Sequence, residues 1–256
     1  MTIFKHKKRL GQNFLLNKDI LEKISLLQNI FNEEVIEIGP GKGSLTEYII
    51  KNKPAKLTLI EKDKTLEIFL AKFIKNQNNI NLIIDDALNI GINKLSTKKV
   101  LLIANLPYNI ATTLIFKWIR YINSFKALIL MVQKEVAMRL SANVNSKHYS
   151  RLSVLIQLFA NIEVKLEVKP ENFFPQPKVY STVIEIIPKE NIKINYEKLD
   201  KTLKMSFFHR RKTLKNNLLK FDSKIEQKII DCGLNPKSRP QEISPKQYVQ
   251  LSESLF

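Results

Sequence analysis

One short stretch of the chain brings together groups that could hold a nucleobase amine. Asn105, Leu106, Pro107 and Tyr108 directly follow the apolar run 100–104. The lone pair of an exocyclic adenine amine is delocalised into the ring, so a site that reacts at this nitrogen must fix both N–H groups with acceptors. The Asn105 side-chain oxygen and the Leu106 carbonyl are such acceptors. Pro107 fixes its own φ and removes a competing donor, and Tyr108 could stack on the base. The alternative is an ordinary strand end that turns through Asn and Pro.

A glycine-rich loop lies earlier in the chain. Residues 37–44 read Glu-Ile-Gly-Pro-Gly-Lys-Gly-Ser and connect a strand-like run to a helix-like run. Glycine at three alternating positions lets a backbone pass close to a ligand, and the following helix N-terminus presents free N–H groups. The dinucleotide fingerprint is incomplete because Ser44 stands at its third glycine, and the P-loop pattern lacks its Gly-Lys-Ser/Thr end. The loop indicates a site for a nucleotide-like cofactor, with a plain tight turn as the alternative.

Carboxylates end the next two strand-like runs. Glu61 closes the run that begins at residue 56, about 20 residues beyond the glycines, where open α/β folds bind a ribose diol. The run 80–84 ends in Asp85 and Asp86, and we predict that Asp86 accepts from the adenine amine of the cofactor. Taken alone, Glu61 would more simply be a surface residue of the charged cluster 61–64. Strand-like runs that each end in a polar or glycine-rich group are, however, typical of the ligand-binding edge of a doubly wound sheet.

The spacing of apolar residues predicts an α/β fold with a parallel sheet covered by helices. We expect strands near 34–38, 57–61, 80–84, 99–104 and 125–132, and helices near 17–28, 44–51, 63–76, 110–121, 133–141 and 151–160. The runs 163–168 and 182–187 flank a proline-containing loop and predict a terminal antiparallel pair. From about 196 onward the spacing is only helical. We therefore predict a large domain over residues 1–188 with a basic N-terminal arm, and a small helical domain over 189–256.

The charge of the chain points to a polyanionic partner. The formal net charge is +18, and Lys and Arg bind phosphate by releasing counterions. Lysines outnumber arginines by 35 to 7, so part of this charge reflects a general preference for Lys. The adjacent arginines Arg210 and Arg211, followed by Lys212, are more informative because the planar guanidinium suits phosphate. This cluster predicts an RNA contact, and a solvated basic helix face is the alternative.

Other features limit the chemistry and the location. Cys232 is the only cysteine, which excludes an internal disulfide and a cysteine-rich zinc site, and the three histidines His6, His148 and His209 are dispersed. We expect no metal in the site. No apolar stretch is long enough for a membrane span, and no apolar signal core follows the basic residues of the N-terminus. These features predict a cytoplasmic protein without a membrane partner.

Over nearly its whole length the chain resembles the KsgA-type rRNA adenine N6,N6-dimethyltransferases. The matching motifs are Lys8 to Leu15, Glu37 to Gly41, Glu61, Asp86-Ala87, Asn105 to Tyr108, Phe173 to Ser181 and Phe207 to Leu218. The resemblance implies a Rossmann-like S-adenosylmethionine-dependent methyltransferase domain followed by a helical RNA-recognition domain. The family usually has Asp at the position of Tyr180, which leaves the local hydrogen bonding there open.

The resemblance also implies the activity and the site. Family members transfer two methyl groups from S-adenosylmethionine to each target adenine, here two adjacent adenines in a 16S rRNA hairpin near the 3′ end, within a pre-30S particle. We expect the protein to act as a monomer. In the family register Phe173 stacks on the target base opposite Tyr108, while Phe174 packs into the protein. The residues that the resemblance places around S-adenosylmethionine are Asn13, Leu15, Gly39, Glu61, Asp86 and Asn105.

Three other functions are weighed against this one. Dimethyltransferases of the macrolide-resistance type act on 23S rRNA, but they commonly have Ile at the position of Leu106, and residues 210–217 resemble the small-subunit enzymes. A non-catalytic assembly factor would be expected to lose the glycine loop or the Asn105 motif, and both are intact. A nicotinamide-dependent reductase would explain the glycine loop and Glu61 while leaving Asn105 and the net charge without a role.

Overall fold

The computed structural model describes residues 11–75 and 77–256. Most of the predicted basic arm, including His6, and the end of the predicted helix 63–76 at Asn76 lie outside the described residues. The chain divides into two compact units. The first comprises Met1–Ala137 and Glu163–Pro188, and the second comprises Met138–Ile162 and Lys189–Phe256.

The first unit contains a seven-stranded sheet in the order β4-β3-β2-β5-β6-β9-β7. The strands are β2 (Glu34–Ile38), β3 (Lys56–Glu61), β4 (Ile80–Ile84), β5 (Val100–Asn105), β6 (Phe125–Gln133), β7 (Ala160–Val168) and β9 (Ser181–Pro188). Strands β2 to β6 are parallel, and β9 is antiparallel to β6. The predicted α/β fold is confirmed, and the two last predicted strands lie next to each other at one edge of the sheet.

Helices precede, connect and follow the parallel strands. They are α1 (Lys18–Ser25), α2 (Ser44–Lys51), α3 (Glu67–Ile74), α4 (Ala111–Arg120) and α5 (Lys134–Leu140). Asn17 caps α1 by accepting from the Ile20 backbone, which satisfies one of the free N–H groups at the helix start. The predicted helix 63–76 begins later than expected. Asp63 accepts from Thr65 and starts a single 3₁₀ turn over Lys64–Leu66 before α3.

Helices cover both faces of the central strands, so the apolar side chains of these strands are buried and stabilise the packing of helices on the sheet. Leu101, Leu102 and Ile103 of β5 are fully buried. On α4 the buried residues recur at helical spacing, so one face of the helix packs inward. At this layer Trp118 of α4 meets Phe125 of β6 in an edge-to-face contact with ring centroids 6.5 Å apart.

A second, two-stranded sheet joins distant parts of the first unit. Strand β1 (Phe14–Leu15) pairs antiparallel with β8 (Phe173–Phe174), so that Phe14 lies opposite Phe174 and Leu15 opposite Phe173. Strand β1 is thereby fixed against the loop that precedes β9. Each strand has only two residues, which is too short for a periodic pattern in the sequence.

The second unit is helical. Its helices are α6 (Arg151–Phe159), α7 (Tyr196–Ser206), α8 (Leu214–Leu218), α9 (Ile225–Asp231) and α10 (Pro245–Leu255). Helix α10 starts with a capping box between Ser244 and Gln247 and with Pro245 at its first position. Residues 138–162 belong to this unit, although the sequence suggested the first domain, because α6 packs against α7 and α10 and Arg151 forms an ion pair with Asp200 of α7. In the part of the chain that the structure describes, no helix is long and apolar enough to cross a bilayer.

Candidate active site

A pocket lies in the first unit where the parallel strands end. It is lined by residues from the carboxyl ends of four neighbouring strands, β2, β3, β4 and β5, and by the segment around β1. All six residues predicted around the cofactor lie in its wall: Asn13, Leu15, Gly39, Glu61, Asp86 and Asn105. The pocket occupies the edge at which doubly wound sheets bind their ligands.

The glycine loop after β2 has a backbone that side chains would disturb. Gly39, Gly41 and Gly43 all have positive φ, at 67°, 62° and 85°. A Cβ on Gly41 would lie 2.9 Å from the Phe14 ring, and a Cβ on Gly43 would lie 2.2 Å from the Phe73 ring. The loop is therefore restricted to glycine by both conformation and space. It brings its backbone to the pocket wall without side chains that would fill the pocket.

Glu61 fastens this loop to the end of β3. Its Oε2 accepts from the Gly41 N–H at 3.1 Å, and its Oε1 accepts from the Asp63 N–H at 2.8 Å. Burial raises the pKa of Glu61, and the backbone hydrogen bonds from Asp63 and Gly41 work against this rise. Each carboxylate oxygen has a further lone pair, so both oxygens can still accept a hydroxyl from a ligand.

Glu37 of β2 is a pocket residue whose importance the sequence reasoning missed. It is almost fully buried, and its Oε2 accepts from the Thr46 hydroxyl at 2.6 Å. Burial raises the pKa of Glu37 to about 8, against the opposing effect of the Thr46 hydrogen bond. At neutral pH this carboxyl is therefore mostly protonated. An acidic residue between Ile36 and Ile38 in a buried strand is the sequence signal that could have found it.

Asp86 follows β4 and is held by two partners. Its Oδ2 lies 2.5 Å from Lys62 Nζ, and its Oδ1 accepts from the Leu88 N–H at 2.9 Å. Burial opposes ionisation, but the hydrogen bonds from Lys62 and Leu88 outweigh it and lower the pKa of Asp86. Asp85 also lies in the pocket wall, but its Oδ1 accepts from the Asp86 N–H and from Asn89. The greater burial of Asp86 agrees with its choice as the ligand carboxylate.

Asn105 ends β5 with its side chain fixed. Its amide nitrogen donates to the Asn13 carbonyl at 3.0 Å, and the Asn13 amide nitrogen donates to the Gly11 carbonyl at 3.3 Å. Since the nitrogen of Asn105 is engaged, its amide oxygen is the group that can accept from a ligand. Next in the chain, Leu106 is buried and its N–H donates to the Met131 carbonyl at 3.1 Å. The acceptors of the motif thus stand on a rigid strand end.

Pro107 and Tyr108 complete the motif. The Pro107 carbonyl accepts from the Ile110 and Ala111 N–H groups and so leads into α4. The Tyr108 hydroxyl lies 2.6 Å from the hydroxyl of Ser181, which is fully buried at the start of β9. Burial raises the pKa of Tyr108, so its phenol remains neutral at physiological pH. The ring of Tyr108 is therefore held from both its backbone and its hydroxyl.

Comparison with known proteins identifies the family. The profile of the family described as ribosomal RNA adenine dimethylase matches residues 3–256. The chain belongs to this family. A relative from Ehrlichia ruminantium (strain Gardel), named ribosomal RNA small subunit methyltransferase A, is 41% identical over 253 residues and covers 97% of each chain. A relative of the same name from Pelagibacter ubique (strain HTCC1062) is 42% identical over 255 residues and covers 96% of this chain and 95% of its own.

Solved structures agree with the fold of the dimethylase. A dimethyladenosine transferase from Plasmodium falciparum superposes with a TM-score of 0.78 at 27% identity, covering 93% of this chain and 95% of that one. The 23S rRNA methyltransferase ErmE superposes with a TM-score of 0.69 at 21% identity, covering 94% and 99%. The similarity to ErmE concerns the fold alone. The predicted Rossmann-like methyltransferase fold with a helical C-terminal part is confirmed.

The position of Tyr180, where the family usually has Asp, has a simple structural explanation in this dimethylase. The Tyr180 carbonyl accepts from the Lys134 N–H at 3.0 Å, so the backbone alone continues the pairing of β9 with β6. Its ring is partly exposed and lies 5.6 Å from Lys134 Nζ. Tyr180 therefore contributes a cation–π contact at the surface, next to the buried Ser181.

The roles predicted for the two phenylalanines of β8 do not agree with their burial. Phe173, predicted to stack on the target base, is 4% exposed and belongs to the core cluster of the first unit. Phe174, predicted to pack, is 61% exposed. The pairing of Leu15 with Phe173 sets this register, and alternation along a strand then places the next side chain on the other face. Phe173 is also absent from the residues that line the pocket.

All three residues of the basic cluster in the second unit, Arg210, Arg211 and Lys212, are exposed. The Arg210 guanidinium donates to the Lys147 carbonyl at 3.0 Å and to the Tyr149 carbonyl at 2.8 Å. Arg210 thus fixes a neighbouring loop through one nitrogen of its guanidinium group, and the contact of all three residues with RNA phosphates stays a prediction.

Buried Asn217 gives this basic turn its shape, which the sequence reasoning had not recognised. Its side-chain oxygen accepts from the His209 N–H at 2.9 Å, and its nitrogen donates to the carbonyls of His209 and Thr213 at 3.0 and 3.1 Å. The Lys212 N–H closes the turn onto the His209 carbonyl at 3.0 Å. The turn is therefore preorganised before any partner binds.

Proposed function

We propose that this dimethylase transfers methyl groups from S-adenosylmethionine to N6 of two adjacent adenines in a 16S rRNA hairpin near the 3′ end, during small-subunit ribosome biogenesis. The observation that carries the proposal is the meeting of Asn105 and Tyr108 with Gly39, Glu61 and Asp86 around one pocket. The first two suit a nucleobase amine, and the other three suit a nucleoside cofactor.

The pocket residues fit S-adenosylmethionine by their chemistry. Gly39 and Gly41 line the pocket, so a ligand would meet backbone without a Cβ at these two positions. Glu61 would hold the ribose hydroxyls, and Asp86 would accept from the adenine amine, while Asn13 and Leu15 would contribute the wall formed by β1. When bound, S-adenosylmethionine supplies an electrophilic methyl group on a sulfonium.

The residues of the motif would act by orientation and by stabilising charge. The Asn105 oxygen and the Leu106 carbonyl would accept both N–H groups of the target amine and direct its lone pair. As N6 becomes tetrahedral and positively charged, the same acceptors would stabilise the charge, and the proton would leave to water. Tyr108 would stack on the base, with Ser181 holding its ring in place. This scheme needs no histidine base.

RNA recognition would fall to the basic surface. Arg211 and Lys212 are exposed on the preorganised turn, where they can bind phosphates of rRNA. The relatives at about 40% identity carry the small-subunit name along the whole chain, which favours 16S over 23S rRNA as substrate. The proposal places the protein in the cytoplasm, acting as a monomer on a pre-30S particle. The intact motif favours catalysis over a purely structural assembly role.

The proposal is tested by offering labelled S-adenosylmethionine and small-subunit particles from a strain that lacks the modification. We expect label in 16S rRNA, and we expect Glu61→Ala to weaken cofactor binding by about 2 kcal/mol or more because two ligand hydroxyls lose their acceptor. Glu190→Ala, which changes an exposed carboxylate, is the matched control. Unchanged cofactor affinity of Glu61→Ala in calorimetry would refute the assignment of the ribose site.

A further inference from the structure

The ammonium group of Lys117 on α4 donates three hydrogen bonds to the loop that follows β4. Its Nζ donates to the carbonyls of Leu88 at 2.6 Å, Ile90 at 2.8 Å and Ala87 at 3.3 Å. An ammonium has three N–H donors, so these three carbonyls use all of them. One side chain thus fixes three backbone carbonyls of a loop that has no regular secondary structure.

This loop carries the carboxylate assigned to the adenine. Asp86 and Ala87 lie in the pocket wall, while Leu88 and Ile90 do not. The Leu88 N–H donates to Asp86 Oδ1 at 2.9 Å, so the residue whose carbonyl receives the shortest bond from Lys117 also holds the carboxylate. The position of Asp86 therefore depends on the backbone that Lys117 fixes.

Partial burial of the Lys117 ammonium group is unfavourable, which indicates that its hydrogen bonds to the loop serve a function. Burial lowers the pKa of Lys117, and the charge of Asp86 partly opposes this. The nearby charge of Lys117 in turn favours the ionised form of Asp86. Lys62 also pairs with Asp86, but its side chain is 54% exposed, so it holds the carboxylate from the solvent side. Loss of Lys62 would remove one contact, whereas loss of Lys117 would release the loop.

We propose that Lys117 is a positioning residue for the adenine end of the cofactor site. Lys117 holds the loop that places Asp86, and Asp86 in turn selects a purine ring with an amine over one with a carbonyl. The inference rests on the proposed function, because it assumes that S-adenosylmethionine binds with its adenine at Asp86. Lys117 itself would not touch the cofactor.

The test compares two ligands by calorimetry: S-adenosylhomocysteine and S-inosylhomocysteine, in which a carbonyl replaces the adenine amine. The wild type should prefer the adenine ligand by about tenfold or more, since Asp86 accepts from an amine and repels a carbonyl oxygen. Lys117→Met should bind S-adenosylhomocysteine about tenfold more weakly and lose most of this preference. Lys117→Gln, which keeps two donors, should lie between the two.

The preference ratio separates positioning from a general loss of stability, which would weaken both ligands alike. Lys99→Met, a change at an exposed lysine, should keep both the affinity and the ratio. Glu61→Ala should weaken both ligands with the ratio unchanged. If Glu61→Ala and Asp86→Ala both left binding intact, the proposed cofactor site would fail. If they weakened it while folded Lys117→Met and Lys117→Gln kept the wild-type ratio, only the role of Lys117 would be overturned.

Discussion

At the scale of single residues, the pocket carboxyls differ in their surroundings. Glu61 is tied to two backbone N–H groups, Asp86 is paired with Lys62, and Glu37 accepts from the hydroxyl of Thr46. Burial keeps Glu37 protonated in the folded state, whereas the hydrogen bonds from Lys62 and Leu88 keep Asp86 ionised. The same functional group, a carboxyl, is therefore held in different protonation states at one sheet edge.

The raised pKa of Glu37 predicts a pH-dependent stability. The folded protein binds a proton at Glu37 up to about pH 8, while the unfolded chain releases it near 4.5. The stabilisation is therefore complete below about pH 4.5 and is lost as the pH rises through about 8, at about 1.4 kcal/mol per pH unit at most. We expect Glu37→Gln to remove this component, as measured by urea unfolding at several pH values. Parallel curves for wild type and variant would contradict the assignment.

Asn105 should matter for chemistry far more than for RNA binding. Asn105→Ala removes an acceptor at the reacting amine while leaving the basic surface unchanged. We expect the single-turnover rate at saturating cofactor to fall by about 100-fold or more, with RNA affinity within about twofold. Asn123→Ala, at an exposed position on the same unit, is the matched control. A normal single-turnover rate for Asn105→Ala would rule out the catalytic scheme.

The sequence predicted which strand-end residues line the pocket better than it predicted the contacts of loop residues. Asn105, Glu61 and Asp86 each end a run of apolar residues, and parallel strands bring such ends together. The burial of Phe173 and the loop contact of Arg210 were not predicted, because the first depends on a strand register and the second on a contact between distant residues. Neither the pairing of β1 with β8 nor the contact of Arg210 with residues 147–149 leaves a periodic signal in the sequence.

At the scale of elements, the alternation of strands and helices was predictable because each has its own apolar period. The boundaries agree to within a few residues wherever a cap or a glycine marks the end. The 3₁₀ turn before α3 was missed because its capping Asp63 sits inside an otherwise helical pattern. The sequence did not predict that residues 138–162 belong to the same unit as α7 and α10, because this grouping is set by packing and not by local sequence.

The start of α2 should not tolerate a side chain. Gly43 has a φ of 85°, and a Cβ there would lie 2.2 Å from the Phe73 ring. We expect Gly43→Ala to destabilise the protein by about 2 kcal/mol or more, through strain and steric clash together. Gly233→Ala is the control for strain alone, since Gly233 also has positive φ but has nothing within 4 Å of the added Cβ. Equal unfolding free energies for the two variants would show that Phe73 simply moves away.

The basic turn between α7 and α8 should bind phosphate through its exposed residues. We expect Arg211→Ala plus Lys212→Ala to reduce the slope of log affinity against log salt by about two units on rRNA, with cofactor binding unchanged. Arg210→Ala should instead loosen residues 147–149, which hydrogen exchange would detect. An unchanged salt slope for the folded double variant would assign Arg211 and Lys212 to an ordinary solvated surface.

At the scale of the whole molecule, the function depends on the net charge and on two compact units that contain different sites. A net charge of +18 favours RNA in general and does not by itself select a site. The first unit contains the pocket, and the second contains the preorganised basic turn. Composition alone predicted a polyanionic partner. The particular RNA follows from the motifs and from the relatives, since no physical property of the chain encodes a nucleotide sequence.

The central claim is that this pocket dimethylates adenines of small-subunit rRNA. The most direct test is mass spectrometry of nucleosides and fragments from 16S and 23S rRNA after unmethylated ribosomal particles are incubated with the protein and S-adenosylmethionine. We expect N6,N6-dimethyladenosine at two adjacent adenines near the 3′ end of 16S rRNA, and almost none with Asn105→Ala. Dimethyladenosine in 23S rRNA instead, or an equal yield from Asn105→Ala, would contradict this claim.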